Sequence, residues 1–309
     1  MKKRTALAID IGGSKLFVGI VDETGQILAE RKMQFQSVSR QIILDSIRQL
    51  CMPLAEMFAP DRIGVSIPGL ADPKTGVWKE AVFSKVRDFP IAKNLAALFA
   101  LPVFIDNDAN NCACAEKIFG CAKTVDDFIW LTISNGCGAG IFLNGQLFSG
   151  ASGNAGELGH VCVTDEDFLC PCGNRGCLES VAAGPGIVRR YEAAVTARKP
   201  SLSAKTIAHM AEEAGDAAAR AVYEKTGVYI GKAIAAAVNI LNVPLVVLGG
   251  GIGMDSSLYI AALKKTVDEH LYATANKNLT IVSTALGYNA SLLGAAATAF
   301  IRGSKIPFK

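Results

Sequence analysis

GNAGELGHVCVTDEDFLCPCGNRGCLE, residues 153–179, is the stretch on which the reading of this chain turns. His160, Cys170, Cys172 and Cys177 stand in it with the spacing H-x9-C-x-C-x4-C. One imidazole and three thiolates make a complete tetrahedral donor set for structural zinc. Gly173 and Gly176 sit inside the cysteine knot, where a tight turn needs residues free to take positive φ. The competing reading is a disulfide or a set of buried thiols. Cys170 and Cys172 are too close in sequence for an easy mutual bridge, and nothing marks the chain as secreted. Glu157 precedes His160 by three residues and Glu179 follows Cys177 by two. A metal that fixes the loop therefore also fixes two carboxylates.

Outward from this stretch, composition sets the limits. The chain has 309 residues, half of them hydrophobic, which is enough for two domains with separate cores. A net charge of +3 with scattered basic residues argues against nucleic acid as the main partner. The N-terminal MKKRTALAIDIGGSKLFVGI imitates a signal peptide, but Asp10 and Lys15 interrupt it, and it reads better as strand and turn. No uncharged run has the length of a membrane span. Nine cysteines without a secretion signal point to a reducing, cytoplasmic setting. Cys51, Cys112, Cys114, Cys121, Cys137 and Cys162, outside the proposed zinc set, read as small buried apolar residues rather than catalysts.

The same order of elements occurs twice. Residues 5–11 and 16–22 predict a hairpin around Asp10-Ile11-Gly12-Gly13-Ser14-Lys15, with a third strand at 27–34. A helix over 38–58, a strand over 62–67, a loop from Pro68-Gly69 to about residue 90, a helix over 91–100, a strand over 102–106 and a helix over 109–119 follow. A second cycle opens with a strand over 127–133 and the turn Ser134-Asn135-Gly136-Cys137-Gly138-Ala139-Gly140, its return strand beginning at 141. Beyond the cysteine stretch come helices over 184–197, 203–213 and 216–241. A strand over 245–248 then leads into Gly249-Gly250-Gly251, followed by a helix over 256–271, a strand over 279–283 and a helix over 290–301. Two such halves predict a cleft between them as the natural ligand site.

The glycine turns suit phosphate. In 10–15, backbone N–H groups converge on an anion, Ser14 adds a hydroxyl, Lys15 a cation, and Asp10 a carboxylate for magnesium; the plain alternative is a type I′ or II′ hairpin. A second glycine turn at the equivalent point of the second half strengthens the phosphate reading, and Gly249-Gly250-Gly251 offers a third close approach. Asp108, at a strand end, is the candidate general base for phosphoryl transfer, against the alternative that it only caps the following helix. Glu157, His160 and Glu179 could accept and donate hydrogen bonds to a polyol, with one imidazole nitrogen on the metal and the other free to donate. His209 and His270 fall on predicted helices without a partner.

Together DIGGSK (10–15), Pro68-Gly69, NDAN (107–110), SNGCGAG (134–140), GNAGELGH (153–160), CPCGNRGCLE (170–179) and LGGG (248–251) resemble the ROK family of sugar kinases and repressors. The resemblance implies an α/β, actin-like (ribonuclease H-like) ATPase fold of two domains. We place a small domain at 1–115 plus the C-terminal helix within 288–309, and a larger one, carrying the zinc loop, at 116–287. It implies a homodimer or dimer of dimers and transfer of the ATP γ-phosphate to a hexose or N-acetylhexosamine, usually at the 6-hydroxyl, with glucose or N-acetylmannosamine as the best fit. By position Asp108 matches the catalytic base, and Gly69, Asn107, Glu157, His160 and Glu179 match sugar contacts. Asp10, Gly12, Gly13, Ser14, Lys15, Asn135, Gly136, Gly138, Gly140, Gly249 and Gly250 fall on the nucleotide side, with ATP and Mg2+. His160, Cys170, Cys172 and Cys177 match the ligands of structural Zn2+. The sequence departs from the family at Asn135, where a G-T-G turn is usual, at Ala139, and in 79–90, which lacks an Asn that commonly touches the sugar. A catalytically weakened sugar-binding protein is the alternative. ROK repressors carry a helix-turn-helix ahead of the first glycine turn; nine residues precede Asp10 here, which favours a kinase over a DNA reader.

Overall fold

The computed structural model describes residues 3–35, 39–81, 86–195, 202–255, 257–272 and 278–303. The chain forms two compact units. Met1–Asp126, Gly140–Ala155 and Ala285–Lys309 make the first, and Asp127–Ala139 and Gly156–Thr284 the second.

In the first unit, β1 (Thr5–Ile11), β2 (Lys15–Asp22) and β3 (Ile27–Gln34) pair antiparallel in sequence. After α1 (Arg40–Phe58), β4 (Arg62–Ile67) pairs parallel with β1. The expected loop after Pro68 is instead a small antiparallel sheet of β5 (Leu70–Asp72), β6 (Val77–Glu80) and β7 (Arg87–Phe89). Its strands are too short to show a period-2 pattern. The sheet is pinned by Trp78, fully buried with its indole N–H donating to the Pro68 carbonyl at 3.0 Å, and by Asp72, which accepts the backbone N–H groups of Lys74 and Thr75. Residues 82–85 of the stretch expected to lack a sugar-binding Asn lie outside the described residues. After α2 (Ile91–Phe99), β8 (Val103–Asn107) pairs parallel with β4, completing the order β3-β2-β1-β4-β8, and runs directly into α3 (Asp108–Ile118).

β1 is buried on both faces, and the two faces differ in side-chain size. Leu7, Ile9 and Ile11 pack with Leu16, Val18 and Ile20 and with Ile43 and Ile47 of α1. Ala6 and Ala8 turn the other way, with Phe17 and Val21, toward Leu292, Ala295, Ala296, Ala299 and Phe300 of the terminal helix, Ala290–Gly303. Small residues there let that helix approach closely. A Cβ on Gly64 of β4 would lie 1.8 Å from the Ala295 carbonyl oxygen. Backbone would have to move to admit it. Gly64→Val is therefore expected to destabilise the protein by about 3 kcal/mol or more, read as a fall in the denaturant midpoint; an unchanged midpoint would refute this account of the packing.

A second sheet repeats the order, β11-β10-β9-β12-β13. β9 (Phe128–Ile133) is followed by β10 (Cys137–Leu143) and β11 (Gln146–Leu147), and the division between units falls within β10. β10 starts at Cys137, so the glycine turn is shorter than the expected 134–140. Beyond the cysteine stretch come α4 (Leu178–Ala182), α5 (Gly184–Ala194), α6 (Ala204–Glu212) and α7 (Ala217–Leu241). β12 (Leu245–Gly249) then lies parallel between β9 and β13 (Thr280–Ser283). The glycines after β12 open a short helix, α8 (Gly250–Met254), that their low helix propensity conceals. α9 (Ile260–His270) and α10, the terminal helix above, complete the chain. Among the described residues no helix is long and apolar enough to cross a membrane.

Candidate functional site

The run Asp106-Asn107-Asp108 sits where β8 becomes α3, and the structure divides the labour among its three side chains. Asp106 is buried and takes an ion pair from Arg302 and a 2.9 Å hydrogen bond from Asn110 Nδ2. Asn107, not Asp108, is the N-cap: its Oδ1 accepts the Asn110 N–H at 2.8 Å, from an extended backbone. Asp108 is the first helical residue, exposed, with Oδ1 on the Ala109 N–H at 2.8 Å. The alternative of Asp108 as helix cap is thus corrected. The positive end of the α3 dipole favours a carboxylate at that place.

In the first glycine turn, Gly12 N–H donates to the Lys15 carbonyl at 2.8 Å, with Gly13, Ser14 and Lys15 exposed. None of residues 12–14 has a positive φ, so the turn is neither type I′ nor II′. Asp10 accepts the Ser291 hydroxyl at 2.7 Å, and Ser291 in turn meets the Ser66 hydroxyl at 2.8 Å. Burial lifts the Asp10 carboxyl above its ordinary value, opposed by the hydrogen bond from Ser291, the Lys15 charge and Ser66. Ser66 and Ser291 are not singled out by sequence reading. The only signal for Ser66 is the parallel register that sets it beside Asp10; Ser291 has none.

Gly69 has φ +79°, and a Cβ there would lie 2.3 Å from the Glu80 carbonyl oxygen, so glycine is required by the turn into β5. Gly249 and Gly250 have packing reasons of their own. A Cβ on the first would strike the Trp130 ring at 2.0 Å, and one on the second would lie 2.4 Å from the Ile133 carbonyl oxygen. Gly251, by contrast, faces open space. Gly140 is pressed against α3, where a Cβ would come within 2.6 Å of the Ala109 carbonyl oxygen.

The cysteine stretch closes into a knot. Gly173 and Gly176 take φ of +94° and +71°, as the tight turns require. All nine cysteines are free thiols; Cys121 and Cys162 are exposed, correcting the expectation that both are buried. The donor atoms of His160, Cys170, Cys172 and Cys177 all lie within 4.8 Å of one another. Cys172 Sγ is 3.7 Å from Cys177 Sγ, and Cys170 Sγ is 3.6 Å from His160 Nδ1. With bonds of about 2.3 Å to sulfur and about 2.05 Å to nitrogen, a tetrahedral zinc separates two sulfurs by roughly 3.8 Å and a sulfur–nitrogen pair by roughly 3.6 Å. The geometry fits. As free thiols, Cys170 and Cys177 are lifted by burial, the second to about 12, while the Asn174 N–H holds Cys172 below its ordinary value.

His160 turns Nδ1 to the thiols and Nε2 to Glu157, whose Oε2 is 3.8 Å away. The two glycines of Gly156-Glu157-Leu158-Gly159-His160 are explained by β10. Ala139 N–H donates to the Gly156 carbonyl at 2.8 Å, and a Cβ on Gly159 would lie 2.1 Å from the Cys137 carbonyl oxygen. Glu179, in the first turn of α4, accepts the Cys137 N–H at 3.0 Å. The second unit therefore places Glu157, His160 and Glu179 on the cysteine loop, with Glu179 against the second glycine turn. The other two histidines have local partners: His209 meets Glu213 at 3.1 Å, and His270 Nδ1 meets the Thr266 carbonyl at 2.9 Å.

Known proteins match this arrangement along most of its length. The glucokinase of Thermotoga maritima is 29% identical over 96% of this chain and 97% of its own. The DNA-binding transcriptional dual regulator NagC of Escherichia coli is 30% identical over 93% of this chain and 73% of its own. The structure of a ROK family glucokinase from Streptomyces griseus, in complex with glucose and AMPPNP, superposes with a TM-score of 0.80 at 27% identity, over 94% of this chain and 98% of that one. The fold is the actin-like ATPase fold. The ROK family profile matches residues 6–300, and the chain belongs to the ROK family.

Proposed function

We propose that this protein transfers the γ-phosphoryl group of ATP to the 6-hydroxyl of glucose or N-acetylmannosamine. It is a sugar kinase, in line with its kinase relatives. Asp108 takes the hydroxyl proton as the sugar oxygen attacks phosphorus, and the bridging oxygen leaves with its electron pair on ADP. Glu157, His160 and Glu179, with Asn107 and Gly69, hold the sugar. Residues 12–15, 135–140 and 249–250 approach the nucleotide through backbone N–H groups. Asp10, steadied by Ser291 and Ser66, would hold the Mg2+ that accompanies ATP and neutralises phosphate charge. His160, Cys170, Cys172 and Cys177 would hold Zn2+, which serves structure. Family resemblance supports a homodimer or dimer of dimers in the cytoplasm.

The observation that carries this reading is the orientation of His160. Its Nδ1 faces the thiols; with zinc on that nitrogen, the proton would sit on Nε2, beside Glu157, for a sugar hydroxyl. A sugar-binding regulator is the second reading, favoured by the match to NagC. A coupled assay of ADP release over a panel of hexoses separates the two. Turnover with glucose or N-acetylmannosamine is expected; sugar binding without turnover on any sugar would overturn the kinase reading.

A further inference from the structure

The Ser134–Gly136 turn is tied to the start of α5 by the Gly184 N–H, which donates to the Ser134 carbonyl at 2.8 Å. Its one short internal bond is Ser134 N–H to the Gly136 carbonyl, 2.9 Å. The next backbone N–H, that of Cys137, points at Glu179 Oε2 at 3.0 Å. The same oxygen lies over Gly136, where a Cβ would come within 2.8 Å of it. The absence of a side chain at 136 is therefore matched to a carboxylate forty-two residues beyond Cys137 in sequence.

That carboxylate is itself fixed. Glu179 follows the metal-type ligand Cys177 by two residues and opens α4. Ser180 Oγ donates to the Cys177 carbonyl at 2.8 Å. At the other end of α4 the Arg190 Nε donates to the Val181 carbonyl at 3.0 Å, and the Arg189 guanidinium donates to the Ser180 carbonyl. Arg190 is buried between α5 and α7, so α4 cannot shift without disturbing that packing. On the far side of the turn, Gly156 and Gly159 brace residues 137–139 as described above. The second glycine turn is thus gripped by the zinc loop from both sides, and Glu179 is the only side chain in that grip, among the described residues, that meets it with a charge.

We propose that Glu179 is a positioning residue for the nucleotide turn as well as a ligand of the sugar, so that sugar and nucleotide affinity are coupled through one carboxylate. Oε2 holds the Cys137 N–H, and Oε1 is the oxygen for a sugar hydroxyl. A sugar bound to Oε1 restricts the Glu179 rotamer and with it the turn, so the coupling is positive. This rests on the assignment of Glu179 to the sugar site and of 134–140 to the nucleotide.

Calorimetry on the full-length, zinc-loaded protein tests it, with MgAMP-PNP as the nucleotide probe and glucose and N-acetylmannosamine as the sugars. In the wild type, saturating sugar tightens the nucleotide about fivefold or more. Glu179→Ala weakens the nucleotide by a similar factor without sugar, and sugar no longer changes it. Glu179→Gln keeps an oxygen for the Cys137 N–H, so it restores nucleotide affinity to within about twofold while sugar affinity stays low. Glu179→Asp, which keeps the charge but is one methylene short, behaves like the alanine variant. Glu157→Ala weakens sugar alone. Zinc content and a thermal melt confirm that each variant is folded, and Gln against Asp carries the comparison should alanine not fold. Nucleotide affinity equal to wild type in the Ala and Asp variants overturns the proposal. A wild type that binds nucleotide but neither sugar overturns the sugar assignment instead, while the sugar-free comparison of Gln with Asp still reports on the Cys137 bond.

Discussion

Asp108→Asn lowers kcat by about three orders of magnitude while leaving sugar and nucleotide affinities within a few-fold of wild type. The size follows from losing a general base in a reaction where most other catalysis is positioning and electrostatics. The expected survival of binding follows from the local geometry. Asn107 caps α3 and Asp106 is tied to Arg302 and Asn110, so the strand-to-helix junction does not depend on the Asp108 charge. The hydrogen bond that Asp108 accepts from the Ala109 N–H needs only an acceptor oxygen, which asparagine retains. Single-turnover kinetics alongside calorimetry measure both quantities. Near-normal turnover would remove Asp108 from the chemistry; unaltered kcat with weakened sugar binding would make it a ligand instead.

Cys172→Ser abolishes stoichiometric zinc and reduces sugar affinity by at least about tenfold. Cys172 is the exposed member of the set, so the substitution removes one donor without opening a hole in the core, unlike a change at fully buried Cys177. With zinc gone, the His160 ring and the 170–177 turn lose the constraint that sets Nε2 toward Glu157. Metal content by atomic spectroscopy and sugar affinity by calorimetry give the readout, with the chelator-treated wild type as a parallel. A metal-free protein that binds sugar as tightly as before would break the link between the knot and the sugar site.

Much of this was legible in the sequence because the signals are local. The β1–β2 hairpin, the long α7 and the clustering of His160 with Cys170, Cys172 and Cys177 each announce themselves within ten to twenty-five residues through periodicity, glycine placement or ligand chemistry. Adjacent Asx residues defeated the assignment of the α3 cap, since propensity does not distinguish Asn107 from Asp108. The choice is made by β8, whose parallel pairing carries extended backbone through Asn107. The sheet over 70–89 escaped because strands of three or four residues show no alternation, and its anchor, Trp78 on the Pro68 carbonyl, is a tertiary contact. Ser66 and Ser291 behind Asp10 were illegible for the same reason: one comes from a neighbouring strand and the other from the last helix.

That last helix has a consequence for how the protein is made. The first unit takes its opening strands from the N-terminus and the cover for one face of their sheet, Leu292 to Phe300, from the far end of the chain. A nascent chain emerging from the ribosome thus exposes Ala6, Ala8, Phe17 and Val21 through nearly the whole of synthesis, while Gly156–Thr284 of the second unit is already complete in sequence. The first unit cannot close this face until residues 292–300 are available, and a chain cut before residue 290 would keep only the part of the cover that Ala115 of α3 supplies.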